Sequence, residues 1–136
     1  VRVMVGGREY DRSQVNLALG AEGGGSGRQP GSTFKPIVLA EFIRQGYSLD
    51  STYDAPPRLV LPGAEADGRD WQVDNYGYVD AGRITAREAT KKSVNTAYAQ
   101  LLEKVTPEKV AELAAQGYEK FVPLFEAQAR RRAEGK

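Results

Sequence analysis

Two short constellations in this chain have residue types and spacings that can do chemistry. Ser32 and Lys35 stand three positions apart, a spacing that places both side chains on one face of a helical turn. A serine hydroxyl attacks a carbonyl only when a base takes its proton, and a lysine amine is such a base when burial lowers its pKa towards neutrality. The sequence has no histidine and no cysteine. That excludes a Ser-His-Asp triad, most zinc sites and thiol chemistry. Any serine nucleophile here needs another base, and Lys35 leads the candidates. Ser93-Val94-Asn95 is the second constellation, a hydroxyl and a carboxamide two residues apart. It falls between two helical stretches, where Asn95 or Thr96 equally suits a helix cap.

The elements that must position these groups can be read from their surroundings. Behind Lys35 runs Ile37-Val38-Leu39-Ala40-Glu41-Phe42-Ile43, apolar around nearly the whole helical circumference, as expected of a buried helix. Gly46 is its stop signal and Ser32 its expected N-cap, which puts Pro36 at the fourth helical position, where the missing N–H costs least. A capping serine also sits at the positive end of the helix dipole, which favours a developing negative charge. A bare Ser-x-x-Lys can equally be a capping serine and a solvated lysine. A solvated lysine is not expected directly before a proline and a buried apolar run.

The longer run Arg28-Gln29-Pro30-Gly31-Ser32-Thr33-Phe34-Lys35-Pro36 resembles the active-site segment of the transpeptidase domain of penicillin-binding proteins, particularly the bifunctional class A type. Val3-Met4-Val5-Gly6-Gly7, Tyr10 and Asn16-Leu17-Ala18 resemble the strand and loop before the family's catalytic serine. Lys92-Ser93-Val94-Asn95-Thr96 resembles its Ser-x-Asn motif. The resemblance implies Ser32 as nucleophile, Lys35 as general base, Ser93 as proton relay and Asn95 as substrate anchor and holder of Lys35. It implies D,D-transpeptidation in peptidoglycan crosslinking, stem peptides as substrates, β-lactams as acylating ligands, no metal or organic cofactor, and an extracytoplasmic parent protein tethered to the membrane. Carboxypeptidase and β-lactamase activities, or a non-catalytic helical scaffold, are the alternatives. The family's third motif, Lys-Thr-Gly or Lys-Ser-Gly, occurs nowhere in this sequence. In the family that strand binds the substrate carboxylate and supplies one oxyanion N–H, so the expectation is part of a transpeptidase domain, over residues 1–117, followed by a helical basic segment, 118–136.

The rest of the chain fits an α+β fold, a helical subdomain around the Ser32 helix with a few short strands. At 136 residues, 40% hydrophobic and 27% charged, it suits one globular domain with a real core. A net charge of +1 gives no field for nucleic acid or a membrane surface. Val1–Val5 reads as a strand, and Gly23–Gly27 as a flexible loop lacking the ending of a phosphate-binding loop. Leu59–Leu61 and Trp71–Tyr76 are candidate strands, with Trp71 and Tyr76 expected to pack onto the core or, alternatively, to bind sugar. Thr85-Ala86-Arg87-Glu88 is a capping box opening a helix to about Lys91. Lys91 and Lys92 suit a solvated helix end or the steering of an anionic substrate. Tyr98, Leu101 and Leu102 are spaced for one buried helical face. Thr106-Pro107-Glu108 opens a last helix, with Val110, Leu113 and Ala114 inward and Gly117 at its end. Arg130–Arg132 reads as a solvated helix end or, alternatively, a basic patch.

Overall fold

The computed structural model describes residues 30–117, Gly24 and, in the C-terminal stretch, Pro123, Glu126, Ala127, Arg130, Arg131, Ala133 and Glu134. The expected strand Val1–Val5, nearly all of the glycine-rich loop and most of the basic tail lie outside the described residues. The chain divides into two compact units, Val1–Gly31 and Ser32–Lys136. Of the first, only Gly24, Pro30 and Gly31 are described. The architecture below is that of the second.

A 3₁₀ turn, Gly31–Phe34, runs into α1, Lys35–Arg44. Four short strands follow: β1 (Thr52–Ala55), β2 (Arg58–Leu61), β3 (Trp71–Asp74) and β4 (Gly82–Thr85). Then come α2 (Ala86–Lys92), α3 (Asn95–Val105) and α4 (Pro107–Ala115). The strands form two antiparallel pairs. β1 pairs with β4 from Thr52–Thr85 to Ala55–Gly82, and β2 with β3 from Arg58–Asp74 to Leu61–Trp71. This is the α+β arrangement expected.

The core lies where α1 packs on α3. Val38, Leu39 and Phe42 meet Ala97, Tyr98, Leu101 and Val105, and Ala86, Ala89 and Val110 close the sides. Phe42 is fully buried and stacks on Tyr47 with ring centroids 4.9 Å apart. Truncating such a core aromatic typically costs about 3–5 kcal/mol. Alanines on α2 and α3 let the helices approach closely, and Ala89, Ala97 and Leu101 retain no exposure.

Several local expectations hold. Thr85 caps α2, its Oγ1 accepting the Glu88 N–H at 3.2 Å. Arg58–Leu61 is a strand, and Val110 and Leu113 are buried. Others are corrected. Ser32 is not the N-cap of α1: it lies inside the 3₁₀ turn, Phe34 occupies the cap, and Pro36 falls within the first two helical positions. There its missing N–H leaves no partner waiting, so the tension between proline and a helical Lys35 is resolved by starting the α-helix at Lys35. Neither Asn95 nor Thr96 caps α3. Val94 does, without a side-chain bond, because the Asn95 carboxamide is engaged elsewhere. Tyr76 does not pack on the core; it is 96% exposed.

Glu41 is the surprise of the apolar run. It is fully buried on α1 and accepts bonds from Arg44 Nε (2.7 Å), Arg44 Nη2 (2.9 Å) and Gln45 Nε2 (2.7 Å). Burial pushes its carboxyl up, but the Arg44 and Gln45 bonds together outweigh that and hold it below the usual carboxylate value. Gln45 Nε2 also donates to the Val105 carbonyl at 3.0 Å. The buried carboxylate therefore ties the end of α1 to the end of α3 as well as holding its own arginine.

Candidate active site

Ser32, Lys35, Ser93 and Asn95 come from two places nearly sixty residues apart, and the fold brings all four together. The α1–α3 packing sets the approach. Lys35 opens α1, Asn95 opens α3, and Ser93 ends α2 in the two-residue link between α2 and α3. Lys35 Nζ donates to the Ser93 carbonyl oxygen at 2.7 Å, to Ser93 Oγ at 3.0 Å and to Asn95 Oδ1 at 2.6 Å. Ser93 Oγ in turn donates to Ser32 Oγ at 3.3 Å. Ser32 and Lys35 are thus joined through the Ser93 hydroxyl, and no direct bond between them is present among the described residues.

Among the described residues the Lys35 environment is neutral. No carboxylate pairs with it among the described residues. Its ammonium sits 5.2 Å from the centroid of the Tyr98 ring, within the range in which an aromatic face attracts a cation. The Tyr98 hydroxyl is fixed at 2.7 Å from Thr90 Oγ1. Burial lowers the Lys35 pKa below that of an ordinary lysine. With three N–H donors matched to three oxygen acceptors, the geometry is that of the ammonium. A neutral amine has two N–H groups and one lone pair. It can keep the Asn95 Oδ1 and Ser93 carbonyl bonds and accept the Ser93 O–H instead. Reversing that bond, and with it the Ser93–Ser32 bond so that the Ser32 hydroxyl donates to Ser93 Oγ, opens a path for the Ser32 proton to Lys35.

Ser93 holds a conformation that L-residues avoid, φ 55° and ψ 41°, in the left-handed region. Its N–H closes α2 on the Ala89 and Thr90 carbonyls. A left-handed non-glycine residue costs roughly 1–2 kcal/mol, and such strain concentrates at functional positions. Here it turns both the carbonyl and the hydroxyl of one residue onto Lys35.

Asn95 is held from behind. Its Nδ2 donates to the Asp74 carbonyl at 2.8 Å, which orients Oδ1 towards Lys35. Asp74 is itself braced across the β2–β3 pair by a two-pronged bond from Arg58, 2.6 and 3.0 Å. The neighbouring Asn75 is 6% exposed. Its Oδ1 accepts the Thr96 N–H at 3.0 Å and the Thr96 Oγ1–H at 3.2 Å, while Nδ2 donates to the Pro56 and Val79 carbonyls. Asn75 thus satisfies a free first-turn N–H of α3 from a distant segment, in place of a local cap. Sequence reasoning placed Tyr98 on a buried face but missed its position under Lys35, and it missed Asn75 and the Asp74 carbonyl as supports. Their signal is faint, because both supports act from another segment of the chain. Among the described residues, no group of His, Cys, Asp and Glu side chains is arranged to hold a metal ion.

Comparison with known proteins places the sequence and the fold. Residues 1–121 match the family described as the penicillin binding protein transpeptidase domain. Penicillin-binding protein 1A of Aquifex aeolicus is 35% identical over 126 residues, covering 92% of this chain and 16% of that protein. The protein of the same name from Neisseria flavescens is 35% identical over 102 residues, covering 75% of the chain and 12% of its own length. The chain therefore spans only a small part of these relatives. Penicillin-binding protein A of M. tuberculosis, solved as an imipenem acyl-enzyme complex, is 34% identical, with a TM-score of 0.53 over 61% of this chain and 19% of that one. Its penicillin G acyl-enzyme complex aligns with the same TM-score at 35% identity. With residues 1–121 matched by the family model and relatives 35% identical over 75–92% of its length, this chain belongs to the transpeptidase domain family of penicillin-binding proteins.

Proposed function

We propose that this chain carries the acylation centre of a serine D,D-transpeptidase of peptidoglycan crosslinking in the cell envelope, outside the cytoplasmic membrane. Ser32 Oγ attacks the carbonyl carbon between the last two D-alanines of a stem peptide. Its proton passes through the Ser93 hydroxyl to the neutral Lys35 amine as the C–O bond forms. When the tetrahedral intermediate collapses, the C–N bond breaks, and the departing D-alanine amine takes that proton back along the same path. An amine of a second strand then resolves the Ser32 ester. Asn95 Oδ1 holds Lys35, one Nδ2–H is committed to Asp74, and the second Nδ2–H is left to bind a substrate carbonyl. A β-lactam follows the same first half, except that its ring nitrogen stays tethered after the C–N bond opens.

The observation that carries this reading is the unbroken bond series from Ser32 Oγ through Ser93 Oγ to Lys35 Nζ. A relative solved as a β-lactam acyl-enzyme supports it. The family match over residues 1–121 also supports reading 1–117 as transpeptidase domain, and 118–136 is proposed as a helical basic segment. The third motif is not in this sequence, and losing one oxyanion donor typically costs about 10²–10³-fold in rate. Acylation by this chain is accordingly expected to be slow but specific. The test is intact mass after incubation with penicillin G. One stoichiometric adduct on the wild type, absent from Ser32→Ala, is expected. A folded protein with no adduct over hours would favour the inert-scaffold alternative.

A further inference from the structure

Tyr98 lies one helical turn after Asn95 on α3, so the two side chains share a face. It is buried, and its ring centroid is 5.2 Å from Lys35 Nζ. The three N–H groups of the ammonium already point at Ser93 O, Ser93 Oγ and Asn95 Oδ1. The ring therefore takes no N–H and acts on the charge, through the negative face of its π system. The phenol fixes how that face is turned. Thr90 has one O–H, and it donates to the Ala86 carbonyl at 2.8 Å. The 2.7 Å contact between the two hydroxyls then runs from Tyr98 as donor to Thr90 Oγ1 as acceptor. Two successive donated bonds thus anchor the ring to α2, the helix whose end supplies Ser93. Among the described residues, no other charged group competes for Lys35. The carboxylates of Glu41, Asp74 and Glu112 are held by Arg44, Arg58 and Lys109, and the charged side chains of α2 and α3 make no bond to it. Burial raises the Tyr98 phenol, and its bond to Thr90 only partly opposes that, so the ring stays neutral while Lys35 titrates.

Resting on the acyl-enzyme reading above, we propose that Tyr98 is a positioning residue for acylation: its ring, oriented by Thr90, steadies the charge that Lys35 carries between taking the Ser32 proton and returning it to the leaving amine. The choice of partner matters chemically. A half-buried lysine with no counter-charge gives up its proton readily and would hold it poorly during the transfer. A carboxylate in its place would bind the proton firmly and leave little neutral amine to act as base. An aromatic face lies between these limits. It attracts the ammonium without a formal charge, and it exerts no such pull on the neutral amine.

The test compares Tyr98→Phe with the protein carrying trifluorophenylalanine at the same position. Fluorine drains the π face with little change in shape, so the core is filled in both. The proton affinity of Lys35 is read by NMR, from the pH titration of its Cε resonance in protein made with isotope-labelled lysine. The resonance is assigned by its loss in Lys35→Arg. Tyr98→Phe keeps the ring face and should stay within about 2-fold of the wild type, while the fluorinated ring should weaken the affinity by about 2–10-fold. The midpoint of the pH profile for penicillin acylation should move to lower pH by the same factor. A ring that only fills space would slow acylation at every pH and move neither midpoint. An affinity that fluorine leaves unchanged or raises would overturn the proposal, as would Tyr98→Phe losing as much as the fluorinated protein. The two readings fail separately. An adduct on Ser32 with an unmoved Lys35 titration sinks only the role of Tyr98. A moved titration in a protein that forms no adduct upholds the hold of the ring on the ammonium and sinks the acyl-enzyme reading.

Discussion

Ser93 offers a perturbation in which stability and activity should move in opposite directions. Its left-handed backbone costs roughly 1–2 kcal/mol with any side chain. Glycine adopts that conformation freely but gives back about 0.5–1 kcal/mol in backbone entropy. Ser93→Gly should therefore be more stable than Ser93→Ala by about 0.5–1 kcal/mol. For a domain of this size that is a rise in Tm of about 2–5 °C. Both substitutions delete the hydroxyl that joins Lys35 (3.0 Å) to Ser32 (3.3 Å), and neither removes the carbonyl that accepts from Lys35 (2.7 Å). A positioned proton-transfer group contributes about 10²–10⁴-fold, so both variants should acylate slower by that factor. Thermal melts followed by circular dichroism and a timed acylation by a chromogenic cephalosporin measure the two halves. A glycine variant less stable than the alanine variant would refute the strain argument. Either variant acylating at the wild-type rate would refute the relay.

Further outcomes are expected at Lys35, Glu41 and Asn75. Burial lowers the Lys35 pKa, so acylation should rise with pH as Lys35 deprotonates, with a midpoint below the ordinary lysine value. Asn95→Asp sets a carboxylate where Oδ1 lies 2.6 Å from Nζ and should move that midpoint upward; an unmoved pH–rate profile would count against Lys35 as the base. The lowered Lys35 pKa also means that the unfolded chain binds the proton more tightly. Stability should therefore rise with pH between the folded and unfolded pKa values. Glu41→Ala strands the Arg44 and Gln45 donors and should cost about 1–3 kcal/mol by urea denaturation. The folded Glu41 carboxyl is held below its unfolded value, so the wild-type contribution is present above the unfolded pKa and lost as pH falls through the folded one. Asn75→Ala unpairs the buried Thr96 N–H and should cost about 1–3 kcal/mol, while slowing acylation through misplacement of Asn95; unchanged kinetics in a destabilised variant would confine Asn75 to a structural role.

What was legible in the sequence was local. The Ser-x-x-Lys and Ser-x-Asn spacings, the Thr85 cap, the Leu59–Leu61 strand and the Val110–Leu113 stripe each depend on residues within one or two turns of one another. What was missed depends on distant partners. β1 and β4 are four residues each and show no clean alternation, and only their mutual pairing makes them strands. Glu41 reads as an interruption of an apolar run, yet its carboxylate is satisfied by Arg44 and Gln45 and its helix face is inside. Asn95 reads as a cap because nothing nearby reveals that Asn75, 21 residues before Thr96, already serves the first turn of α3. The strain at Ser93 is equally silent, since a left-handed helix end usually signals itself through glycine or asparagine. Ser32 was placed in the right neighbourhood and the wrong turn, because proline sets the start of the α-helix at Lys35.

The central claim is that Ser32 is the atom acylated and that Lys35 reaches it through Ser93. Tryptic mapping of the penicillin-treated protein tests it most directly. Trypsin does not cut before proline, so Lys35-Pro36 stays intact and Ser32 falls in the peptide Gln29–Arg44, where Thr33 is the only other hydroxyl. The account predicts the adduct on Ser32 in that peptide, formed at least about 10²-fold more slowly in Ser93→Ala. An adduct on Thr33 or on any other peptide, or one formed equally fast without the Ser93 hydroxyl, would contradict it.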